Sequence, residues 1–439
     1  MSEKRSVTVP ERNEIEEKYK WRLEDLYPNN DAWDGEARCL ESAIENLKEM
    51  GTALTSSAQS LLRGLQTRDE IAERLGRLYA YASFKSHEDA RNLEAQAMVQ
   101  RASTVYLHFA EAVSSFVPSI LELGKEGIDE FMKEESGLEL YRVEIERIMR
   151  LKEHILSYEG EKLLAMSVDV GEVPEKVFSL LTNADMKFPK IKDEKGEEVE
   201  LSEERYSYFL HSSDRRVRRD AFKGLFSSYG NVKNTLSATY LGSLKKDVFY
   251  SKARKYENTL QASLYPQNIP IVVYEKAIET INQWLDPLRR YVTFKRKALN
   301  LDAMHFYDLY VQLLPEPKAH FSYDDAKSII IEGLAPLGEE YSRVLLEAFE
   351  NRWIDVYENK GKRSGAYSWG VYGVHPYVLL NFNGTLRDVF TLGHEMGHAM
   401  HSHFTFKSQP YVYSGVSIFT AEVASTTNEI LLLEHLIKR

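Results

Sequence analysis

The chain of 439 residues combines 43% hydrophobic with 28% charged residues, the composition of a globular protein with a substantial core. Its formal net charge of -11 argues against nucleic acid as a partner, because a protein that neutralises phosphates needs an excess of lysine and arginine. The single cysteine, Cys39, excludes an intrachain disulfide bond and a zinc site built from thiolates.

The N-terminal segment "MSEKRSVTVPERNEIEEKYK" carries charges throughout and lacks the apolar stretch of a signal peptide. No later run of apolar residues approaches the length that is needed to cross a bilayer. Together with the single cysteine, these features predict a cytoplasmic protein with no membrane partner.

Helical periodicity dominates residues 10–350 and predicts a mostly α-helical fold. Apolar side chains recur every three or four residues, as they do at Ile71, Leu75, Leu78 and Ala82. A second pattern of this kind runs over residues 278–292 and contains Pro287. Because proline lacks the backbone N–H and clashes with the preceding turn, we expect it to kink or interrupt that helix.

The stretch "KFPKIKDEKGEEVELSEE" breaks the helical pattern. Two short extended segments flank the turn residues Asp193 to Gly196, and Ser202 follows as a helix N-cap. We predict a hairpin here, at a boundary near residue 200. It separates an N-terminal helical domain, residues 1–200, from a C-terminal domain, residues 201–439.

A second break, "SGAYSWGVYGVHPYVLLNFNG", is rich in glycine, tyrosine and valine and predicts strands and turns. It leads into "TLGHEMGHAMHSHF", which holds four of the 12 histidines in the chain. Thr385 and Asp388 form a capping-box pattern that predicts a helix start in front of the histidines.

The histidine segment contains the pattern His-Glu-x-x-His. On a helix, His394 and His398 lie on one face, about 5–6 Å apart at Cβ, so that both imidazoles can reach one metal ion. Glu395 is offset by about 100° and is therefore placed beside the metal, where a general base belongs. By chance alone, this pattern arises in roughly 3% of chains of this composition, so its context decides.

A catalytic zinc site needs a third protein ligand and an open position. The segment "SIFTAEVASTTNEILLLEHL" predicts a second helix that begins near Ser417. Glu422 and Glu429 are seven residues apart and share one face of it, and we assign Glu422 as the third ligand.

These motifs resemble the M3 family of zinc metallopeptidases of the gluzincin type, in its oligoendopeptidase F branch. The resemblance is carried by "HEMGHAMH" and "FTAEVASTTNE", and by "WRLEDLYP", "ARKYENTLQASL", "HFYDLY", "KRSGAYSWG" and "NFNGTLRDVFTLGHE". It covers nearly the whole chain from about residue 20. In that family the third ligand is the glutamate of the E-V/I-A-S element, which corresponds to Glu422.

The resemblance implies a multi-helix zincin-like fold, with a small β-sheet next to the HExxH helix and a deep substrate channel. It implies one zinc ion per chain and hydrolysis of internal bonds in short, unstructured oligopeptides. Glu395 is then the general base. Glu429 either orients a ligand histidine or is an ordinary solvated or capping glutamate. For His401 we expect a structural hydrogen bond, and for His375 and His403 surface or packing roles.

Substrate-binding residues are open to two interpretations. The segment Tyr377 to Asn383 is either a strand whose exposed edge binds an extended peptide, as the resemblance suggests, or an internal strand that supports the helix. The chain ends at "EHLIKR" without a helix-stop signal, which predicts that it lacks the family's C-terminal region. Alternatives to the endopeptidase are therefore a catalytically impaired zinc- or peptide-binding fragment, and an exopeptidase on a related helical scaffold.

Overall fold

The computed structural model describes residues 9–313 and 320–438, and most of them are helical. The mostly α-helical class predicted from the sequence is confirmed. None of the described helices is both long enough and apolar enough to cross a membrane. The first six helices are α1 (Asn30–Gly51), α2 (Ala58–Glu88), α3 (Leu93–Val113), α4 (Phe116–Glu134), α5 (Arg142–Arg150) and α6 (Tyr158–Leu180).

The first hydrophobic core lies between α1, α2 and α3. The periodic residues of α2 (Ile71, Leu75, Leu78 and Ala82) are all buried, as their spacing predicts. Trp33 on α1 is 1% exposed, and its indole N–H donates a hydrogen bond to the Leu78 carbonyl at 2.8 Å. The core extends beyond the helices, because Tyr377 and Leu379 of the sheet described below also pack into it.

The hairpin expected near residue 200 is confirmed. It consists of β1 (Lys190–Lys192) and β2 (Glu198–Glu200), which pair antiparallel. Ser202 caps the next helix, because its hydroxyl accepts a hydrogen bond from the Arg205 N–H at 3.1 Å. The division into domains at residue 200 stays a prediction.

Six helices follow the hairpin. They are α7 (Glu203–Phe209), α8 (Arg215–Asn231), α9 (Lys233–Ala253), α10 (Thr259–Leu264), α11 (Ile271–Gln283) and α12 (Leu285–Ala298). The interruption predicted from Pro287 is present: α11 ends at Gln283, and Pro287 lies in the first turn of α12, where its missing N–H costs nothing.

The C-terminal part surrounds a three-stranded sheet. Its elements are α13 (Tyr323–Leu334), α14 (Glu339–Glu350), β3 (Ile354–Asp355), β4 (Tyr367–Trp369), β5 (Tyr377–Leu379), α15 (Leu386–Ser408) and α16 (Ile418–Lys438). The strand order is β3-β5-β4, with β3 parallel and β4 antiparallel to β5. A second core packs α13, α14, α15 and α16 against this sheet.

A buried ion network fixes the sheet to the N-terminal segment. Asp355 of β3 is fully buried and lies 2.7 Å from the Lys362 ammonium, and it also accepts hydrogen bonds from the Arg12 guanidinium. Lys362 donates a further bond to the Tyr357 carbonyl at 2.7 Å. Buried charges are tolerated only when they are paired and hydrogen-bonded in this way, so the network holds the loop that leads into β4 in one arrangement.

Candidate metal and catalytic site

Helix α15 presents the two histidines of the HExxH pattern. The capping box predicted at its start is present: the Thr385 hydroxyl accepts from the Asp388 N–H at 3.2 Å, and the Asp388 carboxylate accepts from the Thr385 N–H at 2.8 Å. One side of the helix is fully buried in the second core through Val389, Leu392, Met396, Ala399 and Met400. His394 and His398 are thereby left one turn apart on the side that faces α16.

Helix α16 approaches α15 closely enough to add a third candidate ligand to the two histidines. A Cβ atom on Gly397 would lie only 2.6 Å from the Ser425 Cα, so glycine is required where the two backbones meet. The Asn428 side chain, 1% exposed, donates a hydrogen bond to the Gly393 carbonyl at 2.9 Å. These contacts fix the height of α16, that is, its position along the axis of α15. They bring Glu422 opposite the two imidazoles.

The two histidines and Glu422 converge on one point. Nε2 of His394 lies 3.1 Å from Nε2 of His398, and the Glu422 Oε2 atom lies 3.4 and 3.7 Å from these two nitrogens. Ligand atoms about 2.1 Å from a tetrahedral zinc ion are separated by about 3.4 Å, so the three donors fit such an ion. Glu422 is about half exposed, which leaves one side of the site open.

Two further side chains contact the candidate ligands. The Glu429 Oε1 atom lies 2.5 Å from Nδ1 of His394, the ring nitrogen that faces away from the other donors. The Ser425 hydroxyl donates to the Glu422 Oε2 atom at 2.9 Å. A carboxylate on the second nitrogen of a ligand imidazole fixes its tautomer and orientation. Glu429 thus lies where the first of its two expected roles, orienting a ligand histidine, requires, and that role stays a prediction.

Glu395 lies beside the ligand triangle, which is formed by the donor atoms of His394, His398 and Glu422. Its side chain is 7% exposed, and burial raises its pKa to about 7, although the nearby His394 opposes this effect. The backbone N–H of Ser368 on β4 donates a hydrogen bond to its carboxylate. The positive charge of a bound metal ion would also oppose the effect of burial. A carboxylate in this position can accept and release a proton close to the ligands.

The interpretation of residues 377–383 as an exposed strand edge is wrong. Tyr377, Val378 and Leu379 form the central strand β5, which is completely buried and is paired on both sides, by β3 and β4. The alternative, an internal strand that supports α15, is confirmed. The edge strand next to Glu395 is β4, which among the described residues pairs only with β5. Sequence periodicity could not show which of β4 and β5 is the edge strand, because both strands are short and the segments around them have similar compositions.

The other histidines lie outside the ligand triangle. His375 stacks on Trp353 with ring centroids 4.7 Å apart and bonds Asp25 at 3.0 Å, and His403 packs near the same tryptophan. Their predicted packing roles are confirmed. The hydrogen bond expected for His401 is not found among the described residues.

The sequence of this chain matches known peptidase families and relatives. Residues 208–439 match Peptidase family M3, and residues 119–188 match Oligopeptidase F. The chain is 43% identical over 435 residues to Oligopeptidase PepF of Bacillus subtilis, and the match covers 99% of this chain but only 65% of that protein. It is 40% identical over 427 residues to Group B oligopeptidase PepB of Streptococcus agalactiae, over 97% of this chain and 71% of the relative.

A solved structure has a similar fold. The crystal structure of oligoendopeptidase-F from Enterococcus faecium is similar to this chain with a TM-score of 0.71 and 33% sequence identity. The similarity covers 93% of this chain and 68% of that one. The fold described above is therefore found in a relative whose sequence is recognisably similar.

Proposed function

This chain belongs to peptidase family M3, in its oligopeptidase F branch, and we propose that it is a zinc-dependent endopeptidase that hydrolyses short, unstructured peptides. The observation that carries the proposal is the convergence of His394, His398 and Glu422, with Glu395 held beside them. Two imidazoles and one carboxylate are the ligand set of many catalytic zinc sites. A zinc ion bound there would supply Lewis acidity toward water and toward a peptide carbonyl.

The protein residues supply the proton transfers and the orientation. The carboxylate of Glu395 takes a proton from the attacking water and passes it to the nitrogen of the leaving amine. Glu429 holds the His394 ring so that Nε2 points at the ligand triangle.

The edge strand β4 offers a surface for the substrate backbone. Among the described residues its outer edge has no partner strand, and Ser368 at its centre contacts Glu395. An extended peptide that pairs with this edge would place a carbonyl close to the catalytic carboxylate. Only an unfolded segment can add to a sheet edge in this way, which favours short peptides over folded proteins.

The test is single-turnover cleavage of a quenched fluorescent oligopeptide by the zinc-loaded protein, with the metal content determined. Glu395→Gln should keep its zinc and lose about 10²–10⁴-fold in rate, because the proton acceptor is removed and the ligands are not. Glu434→Gln, an exposed change on α16, serves as the control. Substantial cleavage by Glu395→Gln would contradict the role of the base.

Product analysis separates internal from terminal cleavage. Peptides labelled at either end should yield fragments of several residues. Release of terminal residues alone would identify an exopeptidase instead.

A further inference from the structure

A cavity of about 760 Å³ opens at the end of β4, where Trp369, Gly370 and Tyr372 form part of its wall. The other walls come from α2, α3, α6 and the loop between α15 and α16. Its volume lies within the range of pockets that bind small molecules or ligand side chains. It is separate from the three ligands and Glu395, but the edge strand connects the two regions.

The cavity lies within reach of a peptide bound along β4. Ser368 contacts Glu395, and a strand advances about 3.3 Å per residue. Gly370 therefore lies about 7 Å further along the strand direction, and Tyr372 follows in the turn after the strand. A substrate residue about two positions or more from the cleaved bond would reach the cavity.

The lining combines aromatic walls with negative charge. Seven aromatic side chains contribute: Tyr79, Tyr106, Phe109, Trp369, Tyr372, Phe406 and Tyr411. The charged residues of the lining are Glu73, Asp169 and Glu172, and no lysine, arginine or histidine is among the lining residues.

Helix α6 contributes two carboxylates to the cavity, Asp169 and Glu172, and neither forms an ion pair with a lysine or arginine within the described residues. Glu73 pairs with Arg77 at 3.0 Å, whereas neither Asp169 nor Glu172 makes an ion pair within the described part of the chain. Lys246 and Lys176 act on Glu172 only from a longer distance, and burial together with the neighbouring Glu175 raises its pKa. The cavity therefore carries negative charge that nothing in its own wall neutralises.

We propose that this cavity is a specificity subsite that binds a cationic group of the peptide substrate. The aromatic walls cover an apolar stem and attract the cation through their π faces, while Asp169 and Glu172 face the charge. The cation is either a lysine or arginine side chain or the N-terminal ammonium group of the peptide. The proposal rests on the peptidase function proposed above, since it takes the peptide to extend along β4.

The first experiment changes the peptide and leaves the protein intact. Quenched fluorescent peptides carry one arginine at each position within four residues of the cleaved bond, with matched citrulline peptides of the same shape but no charge. Each is made with a free and with an acetylated N-terminus. We expect about tenfold higher kcat/KM for arginine over citrulline at one position, or for the free over the acetylated N-terminus. The pair that shows the difference identifies the source of the cation.

The second experiment changes the cavity. In the double variant Asp169→Asn and Glu172→Gln, the preference for the cationic peptide should fall to nearly one. Glu159→Gln, an exposed change on the same helix outside the cavity, should keep the preference of the unaltered protein.

The outcomes distinguish the two proposals. Equal kcat/KM for charged and neutral peptides, or a preference that persists in the double variant, would overturn the subsite while the peptidase function stands. If the unaltered protein cleaved none of the peptides, the peptidase function would fail, and the subsite with it.

Discussion

Replacing Gly397 by alanine tests how the third ligand reaches the histidines. The added Cβ would lie 2.6 Å from the Ser425 Cα and 2.8 Å from the Ala424 carbonyl oxygen. Such atoms need about 3.5 Å, and both belong to the backbone, so no side-chain rotation relieves the clash. Helix α16 would have to move back by about 1 Å. Glu422 lies one turn from Ser425, so the ligand moves with it.

Two quantities should change in Gly397→Ala. Overpacking should lower the free energy of unfolding by about 1–3 kcal/mol, measured by urea denaturation of the metal-free protein. Zinc affinity, measured by competition with a chelator at fixed pH, should fall about 10–100-fold, as it does when the support of a ligand is lost. Gly35→Ala on α1 is the matched control, because its Cβ would meet nothing within 4 Å. Unchanged zinc affinity in Gly397→Ala would show that Glu422 does not depend on the close approach of α16 to α15.

Two further changes test the surroundings of the site. Glu429→Ala should weaken zinc binding about 10–100-fold in the same competition assay, because the His394 ring loses its orienting carboxylate, whereas the exposed Glu434→Ala should not. Glu204, which accepts from the Gly365 N–H before β4, has its pKa raised to about 7 by burial. The folded state binds the proton of this carboxyl group more tightly than the unfolded state does. The free energy of unfolding therefore falls as pH rises from about 4.5 through 7. Urea denaturation gives the free energy of unfolding of Glu204→Gln minus that of the unaltered protein. This difference should be about 2–3 kcal/mol more favourable to the variant at pH 8.5 than at pH 5. A difference that does not change with pH would contradict the prediction.

The local features of the site could be predicted from the sequence. The capping box at Thr385, the N-cap at Ser202 and the shared face of His394 and His398 each depend on residues within four positions of one another. Backbone geometry alone determines such relations. The capping interactions are present in the structure as predicted, and the two imidazoles lie side by side.

The strand order could not be predicted in this way. Whether residues 377–379 form the edge or the centre depends on β3, more than twenty residues upstream, which pairs parallel with them. Neither segment carries enough alternation to indicate which of its sides is paired. This is why the interpretation of residues 377–383 as an exposed edge is wrong, whereas the alternative of an internal strand is confirmed.

Sequence spacing alone cannot distinguish Glu422 from Glu429, whereas the packing of α16 on α15 does. Both carboxylates lie on one face of α16, so their seven-residue separation does not say which one faces a metal. That depends on the height of α16 against α15, which is set by the close approach at Gly397 and by the Asn428 bond to Gly393. At this height Glu422 meets Nε2 of His394 and Glu429 meets Nδ1. The two nitrogens of one imidazole thus face the proposed ligand on one side and the proposed orienting group on the other. We expect a bulkier residue at position 397 to disturb both contacts without changing any histidine or glutamate.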